Sequence, residues 1–388
     1  MMNTQAAGHS PMTRRALTAA ALALLAGCAV IPKPRVIEAP KPPPAEADPD
    51  SNVLPTDANR HRVALLVPMT GANAAIGQSI ANAATMALLD TNAQNIRITT
   101  YDTAMGAGLA ANKAILDGNR LILGPLVADD VVAVASVVRP AKVPMITFSN
   151  DVGVADRDVF VLGQVPGQSI ARVIGYAQKS GIRSIGAIIP AGAYGQRAAT
   201  AMTATARGLG LTITGIEAYD RGNTSVASAV RRIMAKNPPG ALLIADGGRI
   251  ALQAAPLAPG TRLLGTELWS GDAGIAKSPA MRGGWFAAVA DKRFGQFEKS
   301  YRTRFGSAPS RHGPLGYDAV LLTLNVARGW KPGTLFPTAK LYGRDGFVGL
   351  DGVFRFNAGG IAERAMEVRE VGTGTFLTIS PAPSKFEP

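Results

Sequence analysis

Apolar and polar positions along most of the chain switch repeatedly between two periods. "RVALLVPMTG", starting at Arg62, is an unbroken apolar run stopped by Pro and Gly, the pattern of a strand buried on both faces and a turn. "AAIGQSIANAATMALLD" then sets Ile76, Ile80, Ala83, Ala84 and Ala87 on one helical face. "IRITTYDT" predicts a strand, "GLAANKAILDG" a helix closed at Gly118, and "RLILGPL" a strand. "DDVVAVASVVRPA" predicts a helix with its acids in the first turn, where they favour the macrodipole, and "VPMITFSND" a further strand. A second series follows: "QSIARVIGYAQKSG" (helix), "SIGAIIP" (strand), "YGQRAATAMTATARGLG" (helix) and "TITGIEAYD" (strand). "TSVASAVRRIMAKNPPG", "ALLIADG", "GRIALQAAPLAPG" and "RLLGTELW" continue it. Such alternation predicts an α/β protein with parallel sheets covered by helices. Two tandem series predict two Rossmann-like lobes facing across a cleft. Ligands in such sheets sit beyond the carboxyl ends of the strands, so the loops to watch are 68–71, 124–130, 147–151, 190–195, 246–249 and 265–271.

The pattern fails before position 61. "VIPKPRVIEAPKPPPAEADPDSNVLPTDANRH" is rich in Pro and charge and has neither period, so it predicts a semi-extended tether over residues 28–60. Ahead of it, Arg14 and Arg15 precede the apolar stretch from Ala16 to Ala26, the order of a secretory signal over residues 1–27. The run is shorter than the roughly 20 residues needed to span a bilayer. Cys28 is the only cysteine among 388 residues, so it forms no internal disulfide and no cysteine-rich zinc site. Leu25-Ala26-Gly27-Cys28 resembles the bacterial lipobox, which implies cleavage before Cys28 and lipidation of its thiol. Ala29, rather than Asp, at the next position favours anchoring to the periplasmic face of the outer membrane.

Composition then narrows the functional classes. A hydrophobic fraction of 47% and 43 glycines suit a soluble α/β body. The formal charge of +13 comes from scattered Lys and Arg, with no basic run, zinc finger or aromatic RNA-binding motif. Nucleic acid is therefore not the expected partner; anionic envelope polymers or lipid headgroups fit an exported basic protein better. Only three histidines are present, His9, His61 and His312, and His312 in "SRHGPLG" is expected far from the cleft loops. No hydrolase, metalloprotease or phosphate-loop motif appears, and Asp151 with Glu267 is a weak candidate for a glycosidase-like acid pair. The expectation is a protein that is not an enzyme and needs no metal or other cofactor.

From about His61 to Arg369 the chain resembles the type 1 periplasmic binding fold of the leucine/isoleucine/valine-binding family. The resemblance rests on "LLVPMTGANAAIGQSIANAATMAL", on the run from "YDTAMGAGLAANKAILDG" to "VPMITFSND", and on "AYGQRAA", "LLGTELW", "GYDAVLL" and "GVFRFNAGGIAERAMEV" in that order. It implies three crossings between lobes, placed near Val165, Asp291 and Asp345. The lobes would then be 61–165 with 291–345, and 166–290 with 346–388.

The resemblance also implies site residues. Glu267 matches the acid that binds an amino acid's ammonium, Tyr194 matches a cleft aromatic, and Thr70, Ser149 and Asn150 fall on cleft loops. Elsewhere the pattern departs: Ala128 followed by Asp129 replaces an expected serine, Asp151 a threonine, Ile76 one aromatic and Arg249 another. An aspartate about 4 Å from a ligand carboxylate costs on the order of 4 kcal/mol at an effective dielectric constant near 20, roughly three decades of affinity. Residue by residue, alternatives stand. Glu267 is either a ligand contact or an ion-pair partner of Arg249; Asp151 is a ligand neighbour or a turn cap; Trp269 stacks on a ligand or packs. These departures resemble the penicillin-binding protein activator lipoproteins, whose partner is a peptidoglycan synthase. The alternative is a lipoprotein that delivers amino acids or related solutes to an ABC permease.

Overall fold

The structure, a computed structural model, describes residues 60–386 except 223–224. The expected signal, Cys28 and nearly all of the tether lie outside the described residues. Among the described residues, no helix is long and apolar enough to cross a membrane.

The first lobe begins with β1 (His61–Val67), α1 (Ala74–Thr91), β2 (Ile96–Asp102), α2 (Ala107–Leu116), β3 (Leu121–Leu123), α3 (Ala128–Val138), β4 (Met145–Thr147) and β5 (Val159–Val161). Its five strands run parallel in the order β2-β1-β3-β4-β5. Alternate residues of β1 face opposite sides of the sheet. Val63, Leu65 and Val67 enter one core with Ile80 and Ala84 of α1, while Ala64 and Leu66 enter another with α2 and α3. Leu65→Ala in such a core costs about 2–5 kcal/mol.

The second lobe carries α4 (Pro166–Lys179), β6 (Ser184–Pro190), α5 (Ala193–Gly208), β7 (Thr212–Tyr219), α6 (Ser225–Lys236), β8 (Ala241–Ile244), α7 (Gly248–Ala254), β9 (Arg262–Gly265), α8 (Ala273–Lys277) and β10 (Trp285–Ala288). The chain then returns to the first lobe as α9 (Lys292–Phe305) and α10 (Gly313–Ala327), and α10 adds Leu315, Ala319 and Leu322 to the core beneath α1. Close approach requires Gly316 there, since a Cβ would lie 2.2 Å from the carbonyl oxygen of Ile80.

A three-stranded antiparallel sheet follows, β11 (Phe347–Gly349), β12 (Gly352–Phe356) and β13 (Ala362–Arg364). Phe347, Phe354, Phe356 and Ala362 join the first lobe's core, with Phe356 edge-on to Phe160 at 5.6 Å. The chain therefore stays with the first lobe through Arg364, past the crossing expected near Asp345. Only β14 (Glu367–Val371) and β15 (Phe376–Ser380) rejoin the second sheet. That sheet has the order β15-β14-β10-β9-β8-β6-β7 and is mixed rather than wholly parallel, because β14 and β15 run antiparallel to their neighbours.

The two lobes repeat one local device. A Cβ on Gly77 would lie 1.9 Å from the carbonyl oxygen of Pro68, and one on Gly195 would lie 1.8 Å from that of Pro190. In each lobe the first strand's end is thus crossed tightly by the helix that follows, and the carboxyl ends of both sheets open toward one another.

Candidate functional site

Between the lobes lies a hollow of about 260 Å³. The first lobe contributes Leu126 and Phe148 as an apolar wall, with Asn150 after β4 and Arg311 and His312 just before α10. Gln164, on the first crossing, forms part of the lining. From the second lobe come Tyr194 at the start of α5 and Glu267, Leu268, Ser270 and Gly271 after β9.

Glu267 is the chemical centre of this hollow. It accepts a hydrogen bond from the Ser169 hydroxyl, the Tyr194 hydroxyl lies nearby, and no cation pairs with it among the described residues. The surrounding protein pushes its carboxyl pKa up by excluding water, and the Ser169 hydroxyl only partly offsets that loss. The expected Glu267–Arg249 ion pair does not form: Arg249 lies exposed on α7, away from the hollow. Tyr194 is buried against Glu267, which raises its hydroxyl pKa, and its oxygen lies 3.4 Å from Thr266 Oγ1. Behind Tyr194, Arg221 pairs with Asp246 at 2.8 Å while sitting 5.7 Å from the tyrosine ring centre. Burial alone raises the Asp246 pKa; the Arg221 bonds, the Tyr219 hydroxyl and the Gly247 amide outweigh it and hold the group low.

Several other expected site residues serve local structure instead. Trp269 is fully buried, donates from Nε1 to the Asp246 carbonyl at 3.1 Å and packs against Phe286, so it is no stacking platform. Thr70 donates to Asp102 Oδ2 at 2.7 Å. Ser149 is buried and accepts from the Asp151 amide at 3.1 Å. Ala128 and Asp129 begin α3 outside the hollow's lining. Asp151 caps the turn at Gly153 with a 2.9 Å bond and also pairs with Arg197 of α5 at 2.8 Å. Asp151 and Glu267 are each engaged with such partners, which leaves the glycosidase-like pairing without support.

Of the sequence-based candidates, the hollow brings together Asn150, Tyr194 and Glu267. It adds Arg311 and His312, which were expected far from the cleft. The loop before α10 folds back beneath the crossings and delivers both side chains to the floor. His312 keeps contact with solvent, yet surrounding protein and then neighbouring Arg311 lower its pKa, against the opposing pull of Asp351. The only signal in the sequence was an Arg-His pair before a Gly-Pro helix start, and nothing in its spacing reports what lies above it.

Known proteins share this fold. A profile of the family described as periplasmic binding protein matches residues 61–375. An uncharacterised protein of Rickettsia prowazekii (strain Madrid E), RP748, is 25% identical over 173 residues, 44% of this chain and 46% of that protein. The match thus spans about half the length of that relative. A solved structure of a putative branched-chain amino acid ABC transporter protein from Rhodospirillum rubrum is similar with a TM-score of 0.73 at 20% identity, over 82% of this chain and all of that one (100%). A branched-chain amino acid transporter substrate-binding protein of Streptococcus pneumoniae, solved with isoleucine, has a TM-score of 0.60 at 18% identity, over 83% and 100% of the two chains. At these identities the likeness concerns the fold.

Proposed function

Because this chain belongs to the periplasmic binding protein family, we propose that its cleft takes a small amine-bearing solute and presents it to a membrane partner, an ABC permease. The observation that carries this reading is Glu267, a half-buried carboxyl lining the hollow, held by the Ser169 hydroxyl and without a cation partner among the described residues. A buried carboxylate is costly without a counter-charge, and a ligand ammonium supplies one. Across the hollow, Asn150, Arg311 and His312 offer donors for a carboxylate or carbonyl on the same solute. The repulsion expected from Asp151 loses its force, because Arg197 neutralises that carboxylate and Asp151 stands outside the hollow's lining.

A second reading is contact regulation of a peptidoglycan synthase from a lipid anchor at Cys28. The Asp151–Arg197 pair favours it, since it joins the lobes through the protein's own side chains. Thermal unfolding of the mature chain against amino acids, short peptides and peptidoglycan fragments separates the two. A solute at 100 times its dissociation constant adds about 2.7 kcal/mol, a rise of ~2–4 °C in midpoint for a body of this size. A shift with amino acids supports the receptor. A flat panel, together with stimulation of a synthase by the purified chain, supports the regulator.

A further inference from the structure

Arg311 stands where the connections between the lobes converge. Its Nη1 donates to Asp351 Oδ1 at 3.2 Å and its Nη2 to Asp291 Oδ1 at 3.3 Å, with the guanidinium 4.2 Å from the Phe294 ring centre. Asp351 belongs to the β11–β12 turn of the first lobe, and its other oxygen accepts from Gln164 of the first crossing at 2.8 Å. Asp291 lies on the second crossing, and its other oxygen accepts from Arg369 of β14, which follows the third. Arg311 thus bridges a carboxylate fixed to one lobe and a carboxylate tied to the other.

We propose that Arg311 sets the angle between the lobes through this bridge, as a positioning residue, and that a solute reaches the crossings by contacting it. The second clause rests on the solute-binding reading above. Charge-assisted bonds usually span about 2.7–2.9 Å, so both arms are longer than their optimum and neither dominates. The arms differ in what happens on release. Asp351 is fully buried and has no water to turn to, whereas the Asp291 side chain is 44% exposed. The Asp291 arm is therefore the one that yields when an acceptor in the hollow draws on the guanidinium. Yielding separates Arg311–Asp351 from Asp291–Arg369 and frees the second crossing to turn. Beside this network, Arg364 Nη1 and Asp318 Oδ2 face each other at 3.9 Å, both buried and neither of these two atoms hydrogen-bonded, so the polar groups there are incompletely paired.

The test is the distance between spin labels at Asn112→Cys and Arg207→Cys, both exposed and on opposite lobes, in the full mature chain carrying Cys28→Ser. Arg311→Lys keeps the charge but not the fork, and Asp291→Asn weakens the yielding arm while leaving buried Asp351 paired. Both are expected to shift or broaden the solute-free distance distribution, while Arg302→Gln, which removes only an exposed pair with Glu298, leaves it unchanged. Distributions matching the unsubstituted chain in both variants would overturn the proposal. Calorimetry with isoleucine on the unsubstituted chain tests the solute reading separately, so failure of either is recognised without the other.

Discussion

Asp151 and Arg197 form a 2.8 Å ion pair that runs from the loop after β4 of one lobe to α5 of the other. Each side chain keeps about a quarter of its exposure, 26% and 27%, so the pair is neither a solvated surface contact nor a desolvated one. Asp151 has a second, independent task in capping the turn at Gly153.

The pair is therefore expected to be modest in energy and large in consequence. Arg197→Gln should cost roughly 1 kcal/mol or less in unfolding free energy, the scale of partly exposed pairs, yet open the lobes. Small-angle scattering should report a larger radius of gyration for Arg197→Gln and for Asp151→Asn. A double-mutant cycle with additive effects would show that the two residues do not act together.

Trp269 is expected to be structural. Trp269→Ala should cost about 3–5 kcal/mol, the scale for emptying a large core site. Trp269→Phe retains much of the packing but loses the bond to Asp246, and should cost about 1 kcal/mol. Solute affinity of the Phe variant, measured by calorimetry, should stay close to that of the unsubstituted chain. A loss of a hundredfold or more at unchanged stability would return Trp269 to the site.

Asp318 gives the fold a pH dependence of predictable sign. Burial first, and then the nearby Asp351, push its carboxyl up to about 7 from 3.8, against the pull of Arg364. Between those values the folded state holds the proton more tightly than the unfolded chain, so this group's stabilising contribution is full below about 4 and is lost as pH rises through about 7. Asp318→Asn should flatten that part of the stability–pH curve, measured by denaturant unfolding from pH 4 to 8. An Asn variant that loses stability over this window as steeply as the unsubstituted chain would contradict the assignment.

The sequence made the strand–helix alternation legible because β1, β6 and β8 are apolar runs bounded by Pro, Gly or Asp. β5, only Val159–Val161, was missed: three residues cannot display a period. The late third crossing was missed because Phe347, Phe354 and Phe356 bury themselves by tertiary packing against Phe160 and its neighbours, which no local pattern reports. At the site, Glu267 and Tyr194 were legible through their resemblance to a known family, and Asn150 through its strand-end loop. Arg311 and His312 were not, since they reach the cleft from a loop remote in sequence, and Arg197 was not, since its partner Asp151 lies on the other lobe. The repulsion expected from Asp151 assumed an unpaired carboxylate, and no local pattern reports its pairing with Arg197.

Glu267 tests the central claim most directly. Burial raises its pKa, so without a solute its contribution to stability is full at low pH and is lost as pH rises through the raised value. Glu267→Gln should then be at least as stable as the unsubstituted chain at pH 8, with the advantage vanishing toward acid. The decisive measurement is calorimetric titration of both forms with amino acids at pH 8. The account predicts binding by the unsubstituted chain that weakens as pH falls through the raised Glu267 value, and a loss of roughly a hundredfold in Glu267→Gln, as for a truncated charge-assisted contact. Equal affinity in the two forms, or binding indifferent to pH, would contradict it.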